Sequence, residues 1–255
     1  CRMIVSTIAV STIALLVSEF NEVELGQKHL EHALALDDNS IAAHYNLALS
    51  LLQHTQDFEI AKRHLERILE IDPENAEAHS ELGKALFNIY NDREGAKEHF
   101  EHAARLAPDV ANHRVNLATS LFLLADYEGA KLANEAALEI NPEDAEAHAR
   151  LGFLLGSHFN DYKGSRKHYE LSIRYAPDYA APRHNLALLL DRQFDELGLS
   201  EFHHSRAVEL KPDDVEFVEQ LALFLANRKG DFLSSRPYFE RAVELDPNNL
   251  HRHLN

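Results

Sequence analysis

Histidine is the residue type in this chain that could do the widest range of chemistry, because imidazole binds metal ions and exchanges protons near neutral pH. The chain contains 17 histidines. His29 and His32 are three residues apart, as are His99 and His102, and on a helix this spacing places two imidazoles on one face. A structural zinc site needs four ligands, and the acidic residues around the second pair are equally typical of a solvated helix surface. The spacing therefore does not predict a metal site.

Five of the histidines recur at intervals of 35 or 69 residues. They are His29, His64, His99, His168 and His203. Packed helices lie about 8–10 Å apart, so rings at successive positions would be too far apart to share a metal ion. We interpret these histidines as half-exposed packing residues. Protonation of all 17 histidines would cancel the formal charge of −17, so we expect the association of the chain to change below about pH 6.5.

Motifs for nucleophilic, phosphate-binding or metal-dependent catalysis are absent from the sequence. It has no HExxH or GxSxG, and Lys84 in "LGKAL" lacks the upstream glycine and the following Ser or Thr of a phosphate-binding loop. The single cysteine, Cys1, excludes an internal disulfide framework. We therefore predict no catalytic activity, cofactor or metal. The net charge of −17 argues against nucleic acid, since such binding depends on Lys and Arg at the phosphates.

The elements that would position these side chains follow from a regular repeat. Prolines mark it: Pro73, Pro108, Pro142, Pro177, Pro212 and Pro247 are separated by 35, 34, 35, 35 and 35 residues. Asp38 occupies the same position one period earlier. The phrase "LEIDPENAEAHSELGKAL" at 69–86 accordingly returns as "LEINPEDAEAHARLGFLL" at 138–155. A fixed period of this length is typical of one supersecondary unit stacked on copies of itself.

Each period contains two segments with helical periodicity. Leucines one turn apart mark the first: Leu47/Leu51, Leu82/Leu86, Leu117/Leu121, Leu151/Leu155, Leu186/Leu190 and Leu221/Leu225. Ala96, Phe100 and Ala103 mark the second segment of one period. Asn75 and Asp144 are suitable N-caps for first helices. The second helices are predicted to begin after Asp57, Asp126, Asp161 and Asp231. Each proline follows a helix C-terminus, where its missing backbone N–H breaks no hydrogen bond of the helix.

This pattern resembles the tetratricopeptide repeat family, whose unit of about 34 residues is a helix–turn–helix that ends in a proline turn. The resemblance covers residues 6–249. It implies an all-α fold, a right-handed superhelical solenoid of stacked antiparallel helix pairs with about seven repeats in one domain over 1–255. The predicted repeats are 6–40, which is degenerate, and 41–75, 76–110, 111–144, 145–179, 180–214 and 215–249, with 250–255 starting a further helix. Only 111–144 has the family's common length; the other well-matched repeats carry one extra residue between their helices.

The sequence departs from the family pattern in two places. The first-helix Trp is absent, and His44, His79 and His148 stand in its place. The small-residue position of the second helix changes from Ala61, Ala96 and Ala130 to Ser165, Ser200 and Ser235, which predicts slightly different packing in the last three repeats. The RNA-binding pentatricopeptide repeat has a similar length, but the acidity of the chain and the "LEIDP"-type joints favour the tetratricopeptide family.

The resemblance also implies that the first helix of each pair lines a concave face. The positions assigned to this predicted groove face are Tyr45, Asn46, Leu49, Leu52, Ser80, Glu81, Lys84, Phe87, Val115, Asn116, Thr119, Phe122, Arg150, Phe153, His184, Asn185, Leu188, Arg192, Gln220 and Leu223. Lys84 lacks the clustered Lys, Asn and Arg with which co-chaperones of the family grip a C-terminal carboxylate, so no such clamp is predicted. Asn46, Asn116 and Asn185 either hydrogen-bond a partner peptide or simply follow the family consensus.

Two classes of function remain open. The first is a non-enzymatic scaffold or adaptor that holds protein segments in the groove and assembles into a larger complex. The alternative is a regulatory repeat arm of a larger enzyme, for example a glycosyltransferase, whose catalytic domain is absent from this chain. Sequence beyond Asn255 in the native protein would separate the two.

The ends of the chain carry three further expectations. The apolar stretch 3–17 is shorter than the roughly 20 residues of a membrane span, so it predicts a buried helix. A cytoplasmic location is favoured, with a lipoprotein anchored through Cys1 as the alternative. The array shows no capping element in the sequence, so its ends are expected to self-associate. The apolar side chains predicted at these ends are Ile8, Ile13, Leu15, Leu16, Leu221, Leu225, Phe239 and Ala242.

Overall fold

The computed structural model describes residues 23–247, which contain helices and no strand. The helices are α1 (Val23–Leu36), α2 (Ile41–Ser50), α3 (Phe58–Ile71), α4 (Ala76–Asn88), α5 (Arg93–Leu106), α6 (Ala111–Leu123), α7 (Tyr127–Ile140), α8 (Ala145–Ser157), α9 (Tyr162–Tyr175), α10 (Ala180–Leu189), α11 (Leu197–Leu210), α12 (Val215–Leu223) and α13 (Phe232–Leu245). Short π-helical turns follow three of them, at Leu51–Thr55, Leu190–Phe194 and Phe224–Arg228. The predicted all-α class is confirmed.

The chain forms two compact units that divide between Ala133 and Asn134, inside α7. In unit 1, α2 packs on α3 and α4 on α5, and each pair contacts the next helix along the chain. In unit 2, α8 packs on α9, α10 on α11 and α12 on α13, with the same contact from one pair to the next. Each unit is therefore a stack of helical hairpins.

Side-chain caps determine where many of the helices begin. The Asn75 side chain accepts a hydrogen bond from the Ala78 N–H at 2.9 Å, and Asp144 accepts one from the Ala147 N–H at 2.9 Å. The second helices open in the same way, with carboxylates that accept from the N–H three residues on at Asp57, Asp92, Asp126, Asp161 and Asp231. These bonds satisfy N–H groups that have no partner within the helix. The predicted caps are confirmed.

The turn between the two helices accommodates the extra residue. In 111–144, which lacks it, the Asp126 N–H donates to the Leu121 carbonyl, five residues back, at 2.9 Å. Where the extra residue is present, the equivalent N–H donates to a carbonyl six residues back: Asp92 to Leu86, Asp161 to Leu155, Glu196 to Leu190 and Asp231 to Leu225. The residue that precedes the opening of each second helix has a positive φ, at Gln56, Asn91, Ala125, Asn160, Asp195 and Gly230. The inserted residue thus lengthens the turn and leaves the second helix's start unchanged.

The cores lie between the helices of each stack. In unit 1 the cluster includes Leu30, Leu47, Leu65 and Leu82, all 3% exposed or less. Glycine allows α4 and α5 to approach closely, because a Cβ added at Gly83 would lie 2.7 Å from the Phe100 ring. Unit 2 has smaller clusters, which centre on Tyr169 with Leu186, on Ala207 with Phe217, and on Leu221 with Phe224.

The predicted exposed end near α13 is wrong for three of its four side chains. Leu221, Leu225 and Ala242 are 1%, 4% and 0% exposed. Leu221 and Leu225 cluster with Phe224, and side chains of both α11 and α13 pack against this cluster. The large apolar side chains that α13 does expose are Phe232 and Leu233, at 71% and 89%.

Several predictions concern residues outside 23–247. They are the apolar stretch 3–17, the role of Cys1, the first helix of repeat 6–40 and the helix expected at 250–255. Among the helices that are described, none combines the length and apolar character needed to cross a membrane.

Candidate functional site

In unit 1 most residues of the predicted groove face are partly buried side chains on α2, α4, α6 and the π-helical turn after α2. Tyr45, Asn46 and Leu49 lie on α2 at intermediate exposure. The other partly buried members are Leu52, Glu81, Lys84, Phe87, Asn116, Thr119 and Phe122. Burial raises the pKa of Tyr45 to about 12, with smaller contributions from Glu81 and Glu77. Its hydroxyl therefore keeps its proton and remains available as a hydrogen-bond donor.

The charged and amide groups of this face differ in their pairing. Lys84 Nζ lies 2.7 Å from Glu81 Oε1, so its charge is already compensated. The amide nitrogen of Asn116 is buried and has no hydrogen-bond partner among the described residues. A buried amide donor of this kind gains free energy when a ligand carbonyl reaches it.

In unit 2 four predicted residues converge on one cleft. Phe153 of α8, Asn185 and Leu188 of α10, and Arg192 of the following π-helical turn line a cleft of about 190 Å³. Small-molecule sites usually enclose roughly 300–1,000 Å³. The unit 2 cleft therefore suits one or two side chains of a larger partner.

The rest of the cleft wall was not foreseen from the sequence. The additional lining residues are Gly156, Ser157, Tyr162, Ser165, Tyr169, Leu189 and Gln193. One signal was visible in "LGFLLGS", where Gly152 and Gly156 are one helical turn apart. A Cβ at Gly152 would lie 3.0 Å from the Tyr169 ring, and a Cβ at Gly156 would lie 2.8 Å from Ser165 Oγ. The two glycines let α8 approach α9 closely at the cleft.

The two arginines of the unit 2 face have different surroundings. Arg150 Nε donates to Glu146 at 3.0 Å, one turn earlier on α8. Arg192 is exposed and forms no ion pair with another residue in 23–247. The cleft therefore combines apolar walls with one uncompensated positive charge at its edge.

Three residues assigned to the groove face are buried. Ser80, Val115 and His184 are 3%, 2% and 3% exposed. His184 stacks on Phe217 with 4.6 Å between ring centroids, which explains why a polar residue is enclosed there. In this conformation these three side chains support their neighbours and do not form contact surface.

Histidines form contacts that the sequence did not reveal. In three hairpins a first-helix histidine meets the second-helix histidine 20 residues later through the two Nδ1 atoms. These histidine pairs are His44–His64 at 2.8 Å, His79–His99 at 2.8 Å and His148–His168 at 2.9 Å. The second-helix members are thus bonded to the positions that replace the family's Trp, and are more than packing residues.

The summed charge of 17 histidines is a poor guide to behaviour in mild acid. Burial, followed by neighbouring charges, lowers the pKa of His99, His168 and His203 to about 4 and that of His204 to about 3. These four groups stay neutral well below pH 6.5, so the expected cancellation of the net charge at that pH is wrong. Within residues 23–247, no group of three or more His, Cys, Asp or Glu side chains is arranged to hold a metal ion.

The comparisons with known proteins agree with this architecture. Residues 45–89 and 220–249 match family models described as tetratricopeptide repeats. No curated protein matches the sequence significantly. The two matched segments are similar to tetratricopeptide repeats, and the stacked hairpins of 23–247 have the helical-repeat fold that tetratricopeptide repeat proteins share.

Solved structures share the fold at low sequence identity. Pseudomonas aeruginosa pilF is 22% identical with a TM-score of 0.73, over 84% of this chain and 96% of its own. A chain of the APC/C hetero-tetramer Cut9–Hcn1 is 16% identical with a TM-score of 0.77, over 97% of this chain and 49% of its own. YrrB is described as a TPR protein with an unusual peptide-binding site. It is 16% identical with a TM-score of 0.56, over 74% of this chain and 95% of its own.

Proposed function

We propose that this chain is a non-enzymatic interaction scaffold that holds a segment of a partner protein on its groove face. The observation that carries the proposal is the convergence of Phe153, Asn185, Leu188 and Arg192 on one cleft. These residues come from two first helices and a turn, and the sequence alone predicts that they share one face. YrrB, whose fold is similar, is described as having a peptide-binding site.

The chemistry of the cleft indicates what kind of segment it holds. Phe153 and Leu188 offer apolar contact, Asn185 offers an amide that both donates and accepts, and Arg192 offers a positive charge. An extended or helical peptide with an apolar side chain beside an acidic residue would match all of these groups. Aromatic residues and arginine contribute most to such interfaces.

Paired substitutions test this proposal. Peptides selected from a displayed random library against the intact chain should bind F153A/L188A at least tenfold more weakly than wild type, because the variant removes the apolar walls. Phe87→Ala with Phe122→Ala tests the unit 1 face in the same way. Fluorescence anisotropy of the selected peptides measures both.

The chain offers a matched control on another surface. Leu199 and Phe202 on α11 are 46% and 58% exposed, so L199A/F202A removes the same two residue types away from the cleft. This control should bind the selected peptides normally. Equal weakening by the two double variants, or by neither, would show that the cleft is not the binding surface. Circular dichroism of each variant checks that the helices are intact.

A further inference from the structure

The histidine pairs have one hydrogen-bonding geometry repeated three times. In each, Nε2 of the first-helix histidine lies 3.0–3.1 Å from a backbone carbonyl six residues earlier, at Asp38, Pro73 and Pro142. The Nδ1 atoms of the two rings then meet at 2.8–2.9 Å. Ring centroids are 5.0–5.1 Å apart in all three pairs.

The carbonyl determines the tautomer of both rings. A carbonyl oxygen only accepts, so Nε2 of the first-helix histidine must carry its proton in every charge state. In the neutral ring Nδ1 is then an acceptor, and the second-helix histidine must donate from its own Nδ1. Its Nε2 is consequently unprotonated at neutral pH.

Counting protons shows how many each pair can hold. A first proton would bind Nε2 of the second-helix histidine, where burial opposes the charge and lowers the pKa, and the N–H···N bond would survive with a charged donor. A second proton must bind Nδ1 of the first-helix histidine. Two N–H groups would then face each other at a distance that suits one hydrogen bond, and two imidazolium charges would lie side by side. The folded hairpin therefore resists the second proton, whereas the unfolded chain accepts both.

We propose that the three histidine pairs are pH-sensitive clasps, which hold the two helices of their hairpins together at neutral pH and weaken as the pH falls through the range where free histidine titrates. Two other hairpins show the arrangement without a clasp. Arg114 donates to the Pro108 carbonyl at 2.6 Å, and Arg183 donates to the Pro177 carbonyl at 2.8 Å through Nη2. There a permanently charged guanidinium serves the same carbonyl, so no proton is gained or lost at that position.

Charged groups near the histidine pairs shift the histidine pKa values in addition to the effect of burial. For His79–His99 they are His102, Arg105 and Asp92; for His148–His168 they are Lys167, Asp144 and Asp161. For His64 the contributing charge is His44, while Arg67, one turn later, bonds Glu70 and Asn39. Lys167, His102 and Arg105 lower the histidine pKa values, and Asp92, Asp144 and Asp161 raise them. Burial is the largest cause in each case, so the pKa falls.

The direction of the stability change follows from these shifts. His99 and His168 have pKa values of about 4 in the folded chain, against 6.5 for an ordinary histidine. Between those values the unfolded chain binds more protons than the folded one. The stabilisation is therefore complete above about pH 6.5 and declines as the pH falls from 6.5 toward 4.

A consequence for partner binding rests on the proposed function. His44 directly precedes Tyr45 and Asn46 on α2, and His148 lies two residues before Arg150 on α8. Loosening a clasped hairpin in mild acid would move side chains of the predicted groove face. Acid would then release a bound segment.

Two measurements on the chain alone test the clasp, so their outcome does not depend on a partner. The first is the imidazole ¹⁵N spectrum of the wild-type chain at pH 7.5. His64, His99 and His168 should show the Nδ1–H tautomer, and His44, His79 and His148 the Nε2–H tautomer. An Nε2–H tautomer at the second-helix positions would overturn the proposal, and this test requires no variant to fold.

The second measurement is urea denaturation of H99Q and H168Q, one in each unit. A glutamine amide can donate to Nδ1 or accept from Nδ1–H, so it serves either charge state of the remaining histidine. Both pH values of the comparison, 7.5 and 5.8, lie above the pI of about 5.4. Between them the folding equilibrium constant of wild type should fall by roughly fivefold more than that of either variant.

Exposed histidines supply the control for this comparison. H32Q and H54Q replace side chains on the surface of unit 1 and should keep the full wild-type pH dependence. If H99Q and H168Q retain the wild-type pH dependence as well, the pairs do not sense protons and the proposal fails.

Discussion

At the residue scale, His204 occupies a position that larger apolar residues fill in three of the earlier hairpins. Leu65, Phe100 and Tyr169 are its equivalents in earlier hairpins, and all four side chains are buried. His204 is 1% exposed, its Nδ1 has no hydrogen-bond partner among the described residues, and burial is the main reason that its pKa falls to about 3. A buried imidazole without a partner costs about 1–3 kcal/mol relative to an apolar side chain of similar shape.

We therefore expect His204→Phe to raise the free energy of unfolding by about 1–2 kcal/mol at pH 7.5. The gain should grow by about 1 kcal/mol at pH 5.8, because the unfolded wild-type chain then takes up a proton that the buried ring refuses. Urea denaturation at both pH values measures it. His204→Leu, which imitates Leu65, guards against overpacking by the larger ring. A loss of stability in both variants would show that the imidazole has a polar role at this position.

At the element scale, the approach of the two helices in a hairpin depends on paired residue sizes. Gly83 faces Phe100, which leaves no room for a Cβ, and Gly152 faces Tyr169, where a Cβ would make a tight contact of 3.0 Å. In the preceding hairpin the equivalent positions are Ala48 and Leu65, which share one core cluster. A smaller second-helix side chain thus accompanies a larger first-helix one.

We expect Gly83→Ala to destabilise the chain by about 1 kcal/mol, because overpacking costs typically 1–3 kcal/mol and exceeds the helix-forming advantage of Ala. Combining it with Phe100→Leu recreates the Ala48–Leu65 arrangement. The double variant should then be more stable than the sum of the single effects by about 1 kcal/mol. Thermal and urea unfolding of all three variants measure this coupling.

Gly198 on α11 is the matched control for this cycle. A Cβ added there meets no described atom within 4 Å, so Gly198→Ala should be neutral or stabilising by up to about 1 kcal/mol. Additive effects of G83A and F100L would indicate that the helices can separate slightly without cost, and that size matching does not set their distance.

At the scale of the whole molecule, acidic charge is in large excess. The formal net charge is −17. Some of the ion pairs lie fully on the surface, such as Lys28–Glu24 and Arg236–Glu240, in which both side chains are at least 60% exposed. Such exposed pairs contribute little to stability, whereas a large net charge destabilises a compact state through self-repulsion.

We therefore expect added NaCl to stabilise the chain. Raising the concentration from 20 to 150 mM shortens the Debye length to about 8 Å, which weakens repulsion between distant carboxylates more than attraction within close pairs. The thermal midpoint at pH 7.5 should rise by a few degrees. A midpoint that falls with salt would show that the surface ion pairs outweigh the net repulsion. Potassium chloride is the control for specific sodium binding.

The sequence by itself determined the features that depend on neighbours along the chain. The proline period, the caps at Asn75 and Asp144, the start of α9 after Asp161 and the extra residue in the turns are local. Each depends on backbone groups within about six residues, so a pattern of residue types suffices to locate it. The class of fold could be predicted because hairpins repeated at one period bury their apolar faces by stacking on one another.

Tertiary structure alone decided which side chains meet across the helices. The Nδ1 contact of His79 with His99, the burial of His184 under Phe217 and the union of Phe153 with Leu188 in one cleft join residues about 20 to 35 positions apart. Their contacts depend on how far apart the helices pack and how each is rotated, and those quantities are set by side-chain volumes such as Gly152 against Tyr169. Periodicity carries no information about a distance of 2.8 Å, because it records which face a residue occupies and not what that face touches.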